Sequence, residues 1–75
     1  MKVTVITGGW AGRYLPENPA SFDAPDNSTV ADLLKTLPIP PEEAGMVAVN
    51  GKAASGDHIL SDGDSLKIYP VIIGG

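Results

Sequence analysis

Cysteine is absent from this chain of 75 residues, and histidine occurs once. Without a thiol there is no disulfide, no thiolate metal site and no cysteine nucleophile. Basic residues are scarce: five lysines and arginines stand against nine acidic residues, for a net charge of −4. That balance argues against nucleic acid or an anionic membrane surface as the main partner and favours basic protein surfaces. No apolar run approaches the roughly 20 residues of a membrane span. The opening "MKVTVI" is too short for a secretory h-region and no cleavage site follows it, so a cytoplasmic protein is expected. Repeats and low-complexity stretches are also missing. At this length there is room for one core, burying roughly 60% of the surface of the unfolded chain, so stability should be modest.

Conventional catalysis has little to use. His58 stands beside Asp57 in a turn-rich stretch, but no serine is marked as a nucleophile, and a solvated loop histidine is the simpler reading. Asp57, Asp62 and Asp64 do not follow the EF-hand spacing and lack its terminal glutamate, so an Asp-Gly-Asp reverse turn is expected in place of a calcium loop. "GGWAG" (8–12) follows a strand but has neither the GxGxxG spacing nor a Lys-Ser/Thr pair, which excludes a phosphate loop. Trp10 within it is either a core cap or an exposed contact. No catalytic residue, no metal site and no bound cofactor is expected.

What is present is a clear order of elements. "KVTVIT" (2–7) alternates with Val3 and Val5 on one face, as a strand does. Gly8 to Pro19 break the pattern, and "ASFDA" (20–24) returns as a second strand with Phe22 inward. In "STVADLLKTLP", Ser28 or Thr29 caps a helix over Thr29–Leu37 and Asp32 favours its positive end. Val30, Leu33, Leu34 and Leu37 then form one apolar stripe. Pro38 and Pro40 stop it, and "PPEEAG" predicts one further helical turn starting at Pro41. "MVAV" (46–49), the hairpin signal Asn50-Gly51, a short return over Lys52 to Ala54, and "SLKIYP" (65–70) complete the chain. One helix cannot bury its stripe apart from the strands, so it must cross a single sheet. The expected core is Val3, Val5, Phe22, Val30, Leu33, Leu34, Leu37, Val47, Val49, Leu60, Leu66 and Ile68.

The sequence closes on "PVIIGG". Two terminal glycines arise by chance about once in 70 chains of this composition, so the dipeptide alone is a moderate signal. Val71, Ile72 and Ile73 beside it strengthen the signal, because apolar residues near a free end ask for a partner to bury them. Val71 is the one most expected to extend the last strand. Five residues after Pro70, at roughly 3.4 Å each, reach about 17 Å, and glycine has no Cβ to obstruct a narrow channel. Residues 1–70 are accordingly read as the folded domain and 71–75 as a C-terminal tail, with Gly74 and Gly75 disordered in the free protein.

The segments "STVADLL", "VAVNG", "LSDGDSLKIYP" and the terminal "GG" resemble the ubiquitin-like sulfur carriers of the ThiS and MoaD type. The resemblance covers most of the chain from Phe22 onward and implies an α+β, β-grasp fold: a mixed four- to five-stranded sheet with one main helix across it. It also implies a role for Gly75. A ubiquitin-activating-like adenylyltransferase would use ATP to adenylylate its carboxylate, with Val71, Ile72, Ile73 and Gly74 held by that partner. A sulfur donor enzyme would then leave a thiocarboxylate on Gly75. Sulfur would pass to thiazole synthase in thiamin biosynthesis or to the molybdopterin synthase large subunit. The connection Gly8–Pro19 is longer than the family leads one to expect, and the tail lacks the double proline common in molybdopterin carriers, which leaves the pathway open. Conjugation of Gly75 to lysines, as a ubiquitin-like modifier, is the alternative. A β-grasp interaction module whose tail is never activated is a third.

Overall fold

The computed structural model describes residues 1–71. Strand β1 (Lys2–Ile6) buries Val3 and Val5 and turns Lys2, Thr4 and Ile6 the other way, the period-two pattern of a half-buried strand. It pairs antiparallel with β2 (Ala20–Asp23) and parallel with β5 (Ser65–Pro70). Strand β3 (Ala44–Val49) lies antiparallel on the other side of β5 and carries the short edge strand β4 (Lys52–Ala54). The result is one mixed five-stranded sheet in the order β2-β1-β5-β3-β4. This is the β-grasp architecture, and β5 occupies its centre.

Helix α1 (Val30–Thr36) begins at a reciprocal capping box. The Thr29 hydroxyl accepts from the Asp32 N–H at 3.1 Å, and the Asp32 carboxylate accepts from the Thr29 N–H at 3.0 Å. Ser28, the other candidate cap, instead donates to the Pro25 carbonyl at 2.6 Å. The helix is one residue shorter at each end than expected. Leu37 precedes a proline and is extended, with ψ of 146°, because the proline ring crowds a helical neighbour on its N-terminal side. The first free N–H groups of α1 are met by a distant loop: Val30 donates to His58 O and Ala31 to Gly56 O, both at 2.9 Å. His58 therefore serves through its main chain, while its side chain is exposed.

Ten of the twelve expected core residues are buried; Phe22 and Leu34 are only half-buried. Phe22 lies on an edge strand with a neighbour on one side only. Leu34 lines an open groove of about 310 Å³ between α1 and the segment 37–44. The sequence reading missed Ala11, Leu15, Ala20 and Ile39, which join the same core. Two of these come from the long first connection, which contains a 3₁₀ turn (Gly9–Ala11) where no regular structure was expected. Trp10, on that turn, is half-buried against the core. The helical turn expected at "PPEEAG" is absent. Residues 41–43 form hydrogen-bonded turns, with Glu43 N to Pro40 O at 3.0 Å and Ala44 N to Pro41 O at 3.3 Å. Prolines at 38, 40 and 41 remove the amide donors a longer helix needs.

The hairpin at Asn50-Gly51 has both residues at positive φ, 51° and 86°, as a two-residue turn matched to strand twist requires. The three turn aspartates have separate duties. Asp62 accepts from the Lys2 N–H at 2.7 Å, Asp64 from Ser61 N at 2.8 Å and Asn50 Nδ2 at 2.9 Å, and Asp57 from the Ser55 hydroxyl. The Ser55 hydroxyl and a main-chain N–H hold the Asp57 carboxyl below the usual carboxylate range, and Ser61 N with the Asn50 amide does the same for Asp64. The reverse-turn reading is the correct one: Asp57 and Asp64 cap their turns, and Asp62 ties its turn to the start of β1. Among the described residues no three His, Cys, Asp or Glu side chains group as a metal site, and no helix is long and apolar enough to cross a membrane.

Candidate functional site: the root of the C-terminal tail

The central strand delivers the chain end. Strand β5 is bonded to β1 as far as Lys67 and to β3 as far as Pro70, which pairs with Ala44, so the chain leaves from the middle strand of the sheet along the β3 side. The last main-chain bond in the described residues runs from Val71 N to Glu43 O at 3.2 Å. Val71 thus continues the ladder by one bond, but its side chain is 43% exposed and does not join the core. Of the residues expected to act, Val71 is described; Ile72, Ile73, Gly74 and Gly75 lie outside the described residues, as does the expectation that the last two are disordered.

Gly45 makes this root possible. The β3–β5 register shifts between Ala44 and Val47, and a Cβ on Gly45 would sit 2.7 Å from Pro70 O and 2.9 Å from Pro70 C. Only glycine lets the two backbones approach so closely. Within this irregular stretch Met46 is 55% exposed, and on the neighbouring strand Tyr69 is 37% exposed. Strand alternation places Tyr69 and Lys67 on the face away from α1, and the Lys67 ammonium lies 5.2 Å from the Tyr69 ring centre. With half-buried Ile6, paired to Lys67, these residues form an apolar strip with one cation beside the tail root.

Glu43 is held in turn by the first connection. The Tyr14 hydroxyl donates to Glu43 Oε2, a contact spanning 29 residues of sequence. Arg13 sits over the same ring at 5.8 Å from its centre. The bond to Glu43, with partial burial and the nearby carboxylate charge, pushes the Tyr14 phenol above its ordinary value of 10.0.

Sequence reasoning singled out residues 71–75 and missed Tyr14, Glu43 and Gly45. A glycine inside a strand run is a signal for a bulge or a close backbone approach, and Gly45 carried it. Tyr14 and Glu43 carried none, since a pairing over 29 residues leaves no local pattern.

Comparison with known proteins agrees with this architecture. The family model for Mut7-C ubiquitin matches residues 15–73. No curated protein matches the chain. Among solved structures, SAMP1 from Haloferax volcanii superposes with a TM-score of 0.81 at 20% identity, covering 100% of both chains. A putative molybdopterin converting factor, subunit 1, from Pyrococcus furiosus gives 0.79 at 22% identity, over 96% of this chain and 99% of the other. Urm1 from Trypanosoma brucei gives 0.70 at 19% identity, over 99% and 95%. At such identities the likeness speaks to the fold. With a central strand that ends in an exposed root, and with residues 15–73 matched by one family model, the chain shares the ubiquitin-like fold of these proteins and belongs to the Mut7-C ubiquitin family.

Proposed function

We propose that the chain is a sulfur carrier whose reactive group is the carboxylate of Gly75. The observation that carries this reading is the placement of the tail: a terminal Gly-Gly follows directly from the central strand, past a root flanked by Met46, Tyr69 and Val71. A C-terminal carboxylate has a reference pKa of roughly 3.3–3.7, so it is ionised at neutral pH and a poor electrophile. A ubiquitin-activating-like adenylyltransferase overcomes that by letting the carboxylate attack the α-phosphate of ATP. Pyrophosphate leaves and an acyl-adenylate forms. Hydrosulfide, or its equivalent from a sulfur donor enzyme, then displaces AMP and leaves a thiocarboxylate on Gly75. The carrier supplies the end and the docking surface, and the partner supplies alignment and charge stabilisation. The exposed strip of Ile6, Met46, Tyr69 and Val71 is the natural surface for that partner. The chain then acts as a co-substrate in the cytoplasm, with ATP bound by its partner. The final acceptor is thiazole synthase or a molybdopterin synthase large subunit; the likeness to a molybdopterin converting factor subunit supports the second.

A second reading has one observation in its favour, the likeness to a small archaeal modifier protein: Gly75 is activated in the same way and then joined to a lysine amine. Intact mass after co-expression with a ubiquitin-activating-like adenylyltransferase separates the two. Replacement of one oxygen by sulfur is the result expected of the carrier. A ladder of conjugates supports the modifier, and an unchanged mass in the presence of ATP and a sulfur donor defeats both.

A further inference from the structure

The connection between β1 and β2 is held as a firm unit. Its neck is closed by Asn18, whose side chain accepts from Thr7 N at 3.0 Å and donates back to Thr7 O. Its middle is pinned by Ala11 and Leu15, both buried in the core, and by main-chain bonds from Tyr14 and Leu15 to Ala11 O at 2.9 and 2.8 Å. From this unit Tyr14 reaches across to the Glu43 carboxylate. Glu43 is itself fixed by its N–H to Pro40 O at 3.0 Å, and its carbonyl takes the Val71 N–H. Three segments far apart in sequence therefore meet at one residue, at the point where the chain leaves the sheet.

We propose that Tyr14 is a positioning residue for the C-terminal tail. It holds Glu43, Glu43 holds the main chain of Val71, and the long first connection thereby sets the direction in which the tail leaves toward a partner. The aiming half of this inference rests on the reading that Gly75 is activated by an adenylyltransferase; the brace itself does not. Arg13, lying over the Tyr14 ring, keeps the phenol in place. The geometry also explains why the connection is long. A tight hairpin would end at the sheet and bring no side chain to Glu43.

The brace is tested on the full chain by amide hydrogen exchange at Val71, comparing wild type with Tyr14→Phe, Glu43→Ala and Glu43→Gln. Tyr14→Phe keeps the packed ring and loses only the donor; it should raise Val71 exchange about fivefold, the loss of one ordinary hydrogen bond. Exchange at Val5 and Leu66 should stay unchanged, which reports an intact core. Glu43→Ala should match Tyr14→Phe, whereas Glu43→Gln keeps an acceptor and should remain near wild type. Val71 exchange within about twofold of wild type in Tyr14→Phe, or Glu43→Gln behaving as Glu43→Ala, overturns the brace. The aiming half is read by ATP–pyrophosphate exchange with the adenylyltransferase. Tyr14→Phe should lower kcat about tenfold with KM for the carrier unchanged, as misdirection of a reactive end does. An unchanged kcat overturns it. Wild-type chain that supports no exchange at all defeats the activation reading, while the Val71 result still decides the brace.

Discussion

The two ends of the sheet are built differently. At the end where β1 and β5 begin, side chains and main chain are densely bonded. Asn50 donates to Asp64 at 2.9 Å and accepts from Ser65 N at 3.0 Å, Asp62 takes the Lys2 N–H at 2.7 Å, and Gly63 N reaches Lys2 O at 2.8 Å. At the opposite end, where the tail leaves, the closing bond is Val71 N to Glu43 O at 3.2 Å, braced from outside by Tyr14. One end is closed by bonds that tie the Asn50-Gly51 and Ser61–Asp64 turns to each other and to the start of β1. The other presents a chain end and an apolar strip, with the long first connection fastened there by Asn18 to Thr7 and by Tyr14 to Glu43.

The largest expected effect tests what both ends share. Leu33 on α1 is 2% exposed, and Leu33→Ala should cost about 2–5 kcal/mol by loss of burial plus the cavity left behind. Denaturant unfolding measures it, and wild-type stability in that variant would mean the helix does not close the core. Next comes Gly45→Ala. The added Cβ meets the Pro70 main chain at 2.7 Å, so β3 and β5 must part at the tail root, at about 1–3 kcal/mol. Chemical-shift changes should centre on Ala44, Pro70 and Val71 and fade toward Asn50. Changes spread evenly along β5 would erase the distinction between the ends.

Asn50→Ala probes the densely bonded end. It strips partners from Ser65 N and Asp64 and should cost about 1–2 kcal/mol, with the Val71 amide untouched. Acid should act on the same end. The Asp64 carboxyl is held low by Ser61 N and Asn50, and Asp32 is held low by the Thr29 main chain and hydroxyl. A carboxyl with a folded pKa below its unfolded value of about 3.9 stabilises the fold above that pH. The contribution is lost as pH falls through the folded value. Stability should therefore decline below about pH 4, and Asp64→Asn should flatten that decline. A profile unaltered by Asp64→Asn contradicts the capping role of this carboxylate.

The same comparison explains what was legible in the sequence. The Asn50-Gly51 hairpin and the Ser61–Asp64 turn are set by the conformations of adjacent residues, and they were read from spacing alone. The start of α1 was read too, but with Ser28 and Thr29 both open as its cap and without the reciprocal bond from Thr29 N to Asp32. The alternation of β1 and β5 and the stripe of α1 placed most of the core for the same reason. At the tail end, the reading from local pattern failed at "PPEEAG" and at Gly9–Ala11. Three closely spaced prolines mimic a helix start while removing the donors a helix needs, and the 3₁₀ turn is held by burial of Ala11 and Leu15 in a core whose shape no local pattern reports. The tail itself stood out by composition, whereas its supports, Tyr14, Glu43 and Gly45, depend on strand order.

The central claim is that Gly75 carries the chemistry at a fixed reach from the sheet. ATP–pyrophosphate exchange with the adenylyltransferase tests it most directly, comparing wild type with a chain lacking Gly75 and with Gly75→Ala, each beside a melting curve. Removing Gly75 withdraws the carboxylate by roughly 3.4 Å, and a misplacement of 1 Å can cost about a hundredfold. The shortened chain should thus lose exchange by at least that factor, Gly75→Ala should be impaired by its added Cβ, and both should melt with wild type. Wild-type exchange by the shortened chain would contradict the account.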